Sequence, residues 1–246
     1  MQRLRVRYAK RGRLRFTSHR DFARAFERAL RRAGVPMAYS AGFTPHPKVS
    51  YAGAAATGVA SEAEYLEIAL AERREPEQVR ATLDAALPPG LDIVEVVEAE
   101  PPGLAERIEA SYWWVEAPEV PVERLQGAVT ALLAASEAPV DKLTKDGRRT
   151  VDARAPIVHL RVSESQQAAG PGRCAILEAV VRHVTPAVRP DDVLTALRQV
   201  GALSTPVTPL VTRLAQGLLG DTPPAEQEQI RLLDPLRDAA APASSR

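Results

Sequence analysis

The chain has 246 residues, 45% of them apolar and only 4% aromatic, with a formal net charge of +1. That apolar fraction excludes wholesale disorder, and no apolar run approaches the ~18 residues of a membrane span. The single cysteine, Cys174, excludes an internal disulfide, a cysteine-based zinc site and a self-held iron–sulfur cluster.

The near-zero charge hides a lopsided distribution. Residues 1–50 hold 13 basic residues against 2 acidic ones, net +11, whereas the remaining 196 hold 19 against 29, net −10. Such a split points to an anionic partner, nucleic acid first, or to a basic part that faces the protein's own acidic part.

Met1 leads straight into "RLRVRYAK", with no apolar leader, so no signal peptide is expected and the chain reads as soluble and cytoplasmic. In that stretch Leu4, Val6 and Tyr8 alternate with Arg3, Arg5 and Arg7, the period of a half-buried strand. "RGRLRFTSH" is a short basic link. Ser18 with Asp21 forms a capping box that starts a helix, with Phe22, Phe26, Ala29, Leu30 and Ala33 on its buried side. Gly34 ends this helix and Pro36 forbids its continuation. "MAYS" and "KVSYAGA" flank a Gly/Pro loop as strand material. "EYLEIAL" is a further strand, "PEQVRATLDAAL" an amphipathic helix and "LDIVEVVEAE" a last strand. The order βαββαβ is that of a ferredoxin-like sandwich.

Pro101, Pro102 and Gly103 make a linker, after which the order repeats more loosely. "RIEASYWWVEA" is a strand and "PVERLQGAVTALLAAS" a helix. "VDKLTKDGRRTVDAR" is a hairpin turned at Asp146-Gly147. "CAILEAVVRHVT" is a strand, "RPDDVLTALRQV" a helix capped near Pro190-Asp191, and "TPLVTRLAQGLL" a final element of ambiguous type. The expected architecture is therefore α+β: two tandem ferredoxin-like (βαββαβ) sandwiches, the second divergent, with a disordered C-terminal tail. The expected boundaries are 1–100, 104–219 and a flexible tail at 220–246, with one short helix at "EQEQIRLL".

The chemistry concentrates in the first fifty residues. Arg20, Arg24, Arg28 and then Arg31 and Arg32 recur at helical spacing, lining a ridge opposite Phe22 and Phe26. Lys10, Arg11, Arg13 and Arg15 form a second cluster just before the helix. Guanidinium groups are planar forks suited to phosphate, and several such contacts give strongly salt-dependent binding. A solvated helix face is the plainer reading. Ser18 and His19 stand at the helix start, where free N–H groups can also hold a phosphate.

In "YSAGFTPHPKVSYAGAAATG", Gly42 permits positive φ, and Pro45 and Pro47 stiffen the backbone around His46 and Lys48. Phe43 is either a stacking platform for a base or, the reading preferred on sequence, an anchor tucked into the core. His46 has only His19 as a potential acid–base partner by type. Glu62, Glu64 and Glu67 read as a solvated face or as partners for arginines, and no P-loop or dinucleotide fingerprint follows the loop. In the second half, Lys145, Arg148, Arg149 and Arg154 crown the hairpin, which fits an RNA groove or a plain soluble turn. Trp113 and Trp114 face opposite sides of their strand, one in the core and the other exposed. His159, His183 and Cys174 are isolated by type.

The stretches Lys10 to Arg15, Ser18-His19, "RRAGVP", "YSAGFTPHPKVSYA", Gly58 and Ser61 to Tyr65 resemble the radical-SAM-associated domain of unknown function. That family occurs as a separate protein or as the C-terminal part of cobalamin-type radical SAM proteins. A weaker echo lies at "GRRTVDAR". The likeness covers roughly residues 1–215 and is specific in the first seventy. It implies a bacterial cytoplasmic protein partnered with a radical SAM enzyme on another chain, since this one lacks C-x-x-x-C-x-x-C. The paired architecture also looks like the repeat-associated RNA endonucleases of CRISPR systems, a likeness of fold order alone.

The leading expectation is a non-catalytic RNA-binding subunit, with no cofactor and no metal, that presents a structured RNA to a radical SAM partner. The RNA- and phosphate-binding set is Lys10, Arg11, Arg13, Arg15, Ser18, His19, Arg20, Arg24, Arg28, Arg31, Arg32, Phe43, His46 and Lys48, with Lys145, Arg148, Arg149 and Arg154 on the hairpin. The alternatives are a metal-free RNA-processing endonuclease using His19 and His46, and an adaptor docking its basic face on an acidic protein.

Overall fold

The computed structural model describes residues 1–144, 147–165, 174–220 and 232–237. The chain is a mixed α+β protein with four α-helices among the described residues, dividing into two compact units. Unit 1 comprises Met1–Ile108, Ala215–Leu218 and Leu233–Arg246, and unit 2 comprises Glu109–Leu214 and Leu219–Leu232.

Unit 1 runs β1 (Gln2–Lys10), α1 (His19–Arg32), β2 (Val49–Ala52), β3 (Ala60–Leu70), α2 (Pro76–Ala86) and β4 (Leu91–Glu98). The strands lie in the order β4-β1-β3-β2, and each of these pairings is antiparallel. The alternation in β1 sends Leu4, Val6 and Tyr8 to the face that also carries Leu66, Ile68 and Leu70 of β3. These side chains bury Phe22, Phe26, Ala29 and Leu30 of α1 and Val79 and Leu83 of α2. Tyr8 stacks on Phe22 with ring centroids 4.2 Å apart.

Both ends of α1 follow from local chemistry. The Asp21 N–H donates to Ser18 Oγ at 3.2 Å, and the Ser18 hydroxyl donates to Asp21 Oδ2 at 2.7 Å. At the other end Gly34 adopts φ +65°, its N–H donates to the Arg31 carbonyl, and the Val35 N–H reaches back to Leu30. That double bond is a Schellman closure, which needs the left-handed residue that glycine supplies.

On the opposite face of this sheet, later segments of the same unit pack against β3. Ala63 and Tyr65 of β3 bury against Leu104 and Leu236. Arg5, 2% exposed, donates to the carbonyls of Glu100 and Pro102, and Arg107 donates to those of Pro101, Pro102 and Arg237. Of the stretch expected as a flexible tail, residues 221–231 and 238–246 lie outside the described residues. So does most of the expected "EQEQIRLL" helix, while its last two residues, Leu232–Leu233, form a short strand. Leu236, further along the same stretch, is buried.

Unit 2 runs β5 (Ala110–Pro118), α3 (Val122–Ala134), β6 (Pro139–Thr144), β7 (Gly147–Asp152), β8 (Ile157–Ser165), β9 (Cys174–Arg182), α4 (Pro190–Val200) and β10 (Leu210–Leu219). Residues 215–218 of β10 belong to unit 1. Strand order is β10-β5-β9-β8, with β5–β9 and β8–β9 antiparallel. The hairpin expected near Asp146-Gly147 exists as β6–β7 but pairs only with itself. The place beside β9 goes to β8, a strand absent from the sequence expectation.

The Lys142 ammonium ties the hairpin to α4 by donating to the Ala187 carbonyl at 2.8 Å and to Asp192 Oδ2 at 2.5 Å. The Asp192 carboxylate also accepts the Arg189 N–H at 2.8 Å, which caps the start of α4. Helices α3 and α4 approach so closely that a Cβ on Gly201 would lie 2.4 Å from Ala128 Cα.

Candidate nucleic-acid interface

The arginine ridge on α1 forms as the spacing predicts. Arg20, Arg24, Arg28 and Arg31 are exposed, while the opposite side of the helix is buried in the core. No hydrogen bond or ion pair joins these four side chains to the rest of the described residues. The rise of ~1.5 Å per residue sets Arg20, Arg24 and Arg28 about 6 Å apart along the axis. Exposed Arg13 precedes the helix, and the Arg15 guanidinium lies 4.9 Å from the centre of the Phe16 ring.

Other cations named from sequence are turned inward. Lys10 is 4% exposed, and its ammonium donates to the carbonyls of Ala56 at 3.2 Å and Ala55 at 3.4 Å. It is withdrawn from the contact set because it braces the 53–59 turn from inside. Arg11 donates through Nε and a terminal nitrogen to the two oxygens of Glu62, and through its other terminal nitrogen to Asp92. Those hydrogen bonds, Glu62's first, raise its affinity for its proton and neutralise its field. Arg32 donates to the Ala86 carbonyl at 3.1 Å, and Arg154 to that of Leu133 at 3.2 Å. Arg148 is exposed, 3.8 Å from Asp141, and Arg149 is exposed on β7. Lys145 lies outside the described residues.

The Gly/Pro loop is closed at its base. Tyr39 and Pro47 pair as an isolated bridge, the Ser40 N–H donates to the His46 carbonyl at 2.9 Å, and the His46 N–H donates to Ser40 Oγ at 3.0 Å. Gly42 takes φ +128°, a region L side chains rarely enter. The expectation that Phe43 is an anchor tucked into the core is overturned. Its relative exposure is 109%, so the loop holds the ring out in water. His46 and Lys48 are exposed beside it, and Tyr39 and Phe16 add further exposed aromatic surface that the sequence reading passed over.

His19 packs its ring edge-on against Tyr51, 4.7 Å between centroids. Burial, reinforced by Glu27, pushes the Tyr51 hydroxyl up to about 12. No hydrogen bond joins His19 to His46 among the described residues. Glu62 and Glu67 prove to be arginine partners, to Arg11 and, at 4.0 Å, to Arg5, while Glu64 accepts the Ala55 N–H.

In unit 2, Trp113 is buried, with the Arg213 guanidinium 5.3 Å from its ring, and Trp114 is partly exposed. Ser111 Oγ and His183 Nε2 lie 2.8 Å apart, but Ser111 is buried, so this pair is a structural tie rather than a nucleophile and base. The described residues contain no group of three or more His, Cys, Asp or Glu able to hold a metal. No helix among them is long and apolar enough to cross a membrane.

An α+β protein with an exposed arginine ridge, unpaired among the described residues, and a projecting aromatic loop is thus the class that fold and site define. The chain belongs to the family described as "Uncharacterized protein conserved in bacteria (DUF2344)", whose model matches residues 3–190. No curated protein matches it. A solved structure, "Crystal Structure of an Unknown Protein from Galdieria sulphuraria", is similar at 15% identity over 86% of this chain and 98% of that one. Its TM-score of 0.24 carries no inference.

Proposed function

We propose that the protein is a non-catalytic RNA-binding subunit that presents a structured RNA to a radical SAM enzyme. We further propose that each unit is a ferredoxin-like sandwich. The strand order supports the fold reading: in each unit the fourth, first, third and second strands lie side by side, with the inserted β6–β7 hairpin set apart in unit 2.

The observation that carries the functional reading is the ridge Arg20, Arg24, Arg28 and Arg31. Like charges one turn apart repel, and no anion among the described residues pairs with them, whereas Arg5, Lys10, Arg11 and Arg32 all have partners. A phosphate backbone relieves that repulsion. Exposed Phe43, with His46 and Lys48, adds a ring on which an unpaired base can stack beside cations for the flanking phosphates. The geometry of His19 and His46 favours contact over cleavage, since His19 packs on Tyr51. The radical SAM partner rests on the sequence resemblance, and these residues do not themselves hold its cluster, because one cysteine cannot ligate it.

The test is retention of total small RNA on a filter. Four phosphate contacts predict a loss of about 50- to 150-fold in affinity between 50 and 200 mM salt. The R20A/R24A/R28A protein is expected to lose most retention at either salt. Unchanged retention in that variant overturns the reading, and cleavage abolished by H46A replaces it with the endonuclease.

A further inference from the structure

Three strands of unit 2 set nine side chains in a grid on one sheet face. Across β5, β9 and β8 the rows are Tyr112–Val180–His159, Trp114–Glu178–Arg161 and Glu116–Ile176–Ser163. The intervening residues, Trp113, Val115, Leu177, Ala179 and Leu160, are buried on the reverse face. Glu178 is the unexpected member. It is 5% exposed at the centre of the middle strand, a site where an apolar residue would pack without desolvating a charge.

Its surroundings orient it. The Tyr112 hydroxyl donates to Glu178 Oε2, and burial together with that bond holds the phenol well above its ordinary range, so it stays a donor. Trp114 and Arg161 stand directly opposite Glu178 on the two flanking strands, which brings their Cβ atoms within ~5.5 Å of its own. His159 Nε2 is buried and has no hydrogen-bond partner among the described residues. A planar aromatic surface, a fixed carboxylate and an exposed guanidinium therefore lie in one row, with an unused ring nitrogen in the next.

We propose that this row is a nucleobase site that selects guanine in an unpaired segment of RNA. Trp114 stacks on the base, the Glu178 carboxylate accepts its adjacent N1–H and 2-amino donors, and Arg161 takes the neighbouring phosphate. Guanine is the base that presents two N–H donors side by side on its Watson–Crick edge, so a carboxylate can accept both at once, whereas adenine and cytosine offer that edge one amino group and an acceptor. The inference rests on the reading of the protein as an RNA binder but uses a surface separate from the arginine ridge.

Titration of tryptophan fluorescence with the monophosphates of guanosine, inosine, adenosine, cytidine and uridine tests it without any RNA. Guanosine monophosphate is expected to quench Trp114 with an affinity about tenfold or more above that of adenosine monophosphate. Inosine monophosphate, which lacks the 2-amino group, falls between them. E178Q removes the guanine preference, and W114F, which keeps the carboxylate, abolishes the quench while leaving the emission of buried Trp113. Equal quenching by all five nucleotides, or a guanine preference that survives in folded E178Q protein, overturns the proposal. R20A/R24A/R28A leaves the mononucleotide preference unchanged, so a failure of the ridge and a failure of this site read out separately.

Discussion

Arg11 and Glu62 face each other as a two-pronged pair, Nε on one carboxylate oxygen at 2.7 Å and a terminal nitrogen on the other, with Asp92 closing the third side. The pair links the end of β1 to β3, and Asp92 extends the link to β4. The guanidinium is about half exposed, so solvent screens it and its contribution is at most about 1 kcal/mol. R11A is expected to lower the melting temperature by a few degrees and leave RNA retention as it is. A large loss of retention would return Arg11 to the binding set.

Lys10 makes the complementary case from inside. K10M keeps the volume of the stem but removes the donor held by the Ala55 and Ala56 carbonyls. A destabilisation of about 1–3 kcal/mol is expected. Urea unfolding measures it, and an unchanged midpoint would show the ammonium to be idle.

Phe43 and Phe26 separate contact from packing. Phe26 is fully buried in the core and Phe43 fully exposed. F26A is expected to cost about 3–5 kcal/mol. F43A stays within about 0.5 kcal/mol of the parent yet weakens RNA binding. If F43A melted like a core mutant, the loop would be packed against something after all.

Gly201 closes α4 against Ala128 of α3 with room for no Cβ. G201A forces the helices apart, at about 1–3 kcal/mol by the usual magnitude of overpacking. Its φ of −99° is open to any residue, so the loss reports the close approach alone. Thermal unfolding without a downward shift would contradict the contact.

His159 gives a pH signature. Burial lowers its proton affinity, opposed by Glu178 and reinforced by Arg161. Tyr112, on β5, shares its row across Val180. The folded state therefore binds this proton more weakly than the unfolded chain. The stabilisation is complete above the unfolded value of 6.5 and declines as pH falls below it. Between pH 7.5 and 5.5 the parent is expected to lose more stability than H159Q. Parallel losses would remove His159 from the account.

What the sequence disclosed tracks the range over which each signal acts. The helix start at Ser18, the stop at Gly34 and the alternation of Leu4, Val6 and Tyr8 are read within a few residues and took the expected form. The exception is the Asp21 carboxylate, which accepts the Ser18 hydroxyl rather than closing the expected capping box on the Ser18 N–H. The ridge Arg20, Arg24, Arg28 depends only on helical spacing and was equally legible. The partners of Lys10 and Arg11 were not legible because they lie 45 to 81 residues away, and composition cannot pair them. Phe43 was misjudged because a loop residue carries no periodicity to say which way it faces. Strand β8 was missed because the hairpin before it absorbed the strand-like pattern, although Leu160 and Val162 do alternate with His159 and Arg161.

The burial of Ala63 and Tyr65 beneath Leu104 and Leu236, with Arg107 holding the Arg237 carbonyl, has a consequence for synthesis. Domains emerging from the ribosome generally fold from the amino end first. Here the sheet begun by Gln2–Lys10 waits for residues translated more than two hundred positions later before its second face is dry. Until Leu236 arrives, the nascent chain carries an uncovered tyrosine and alanine patch, so a segment far along the sequence completes the sheet that Gln2–Lys10 belongs to.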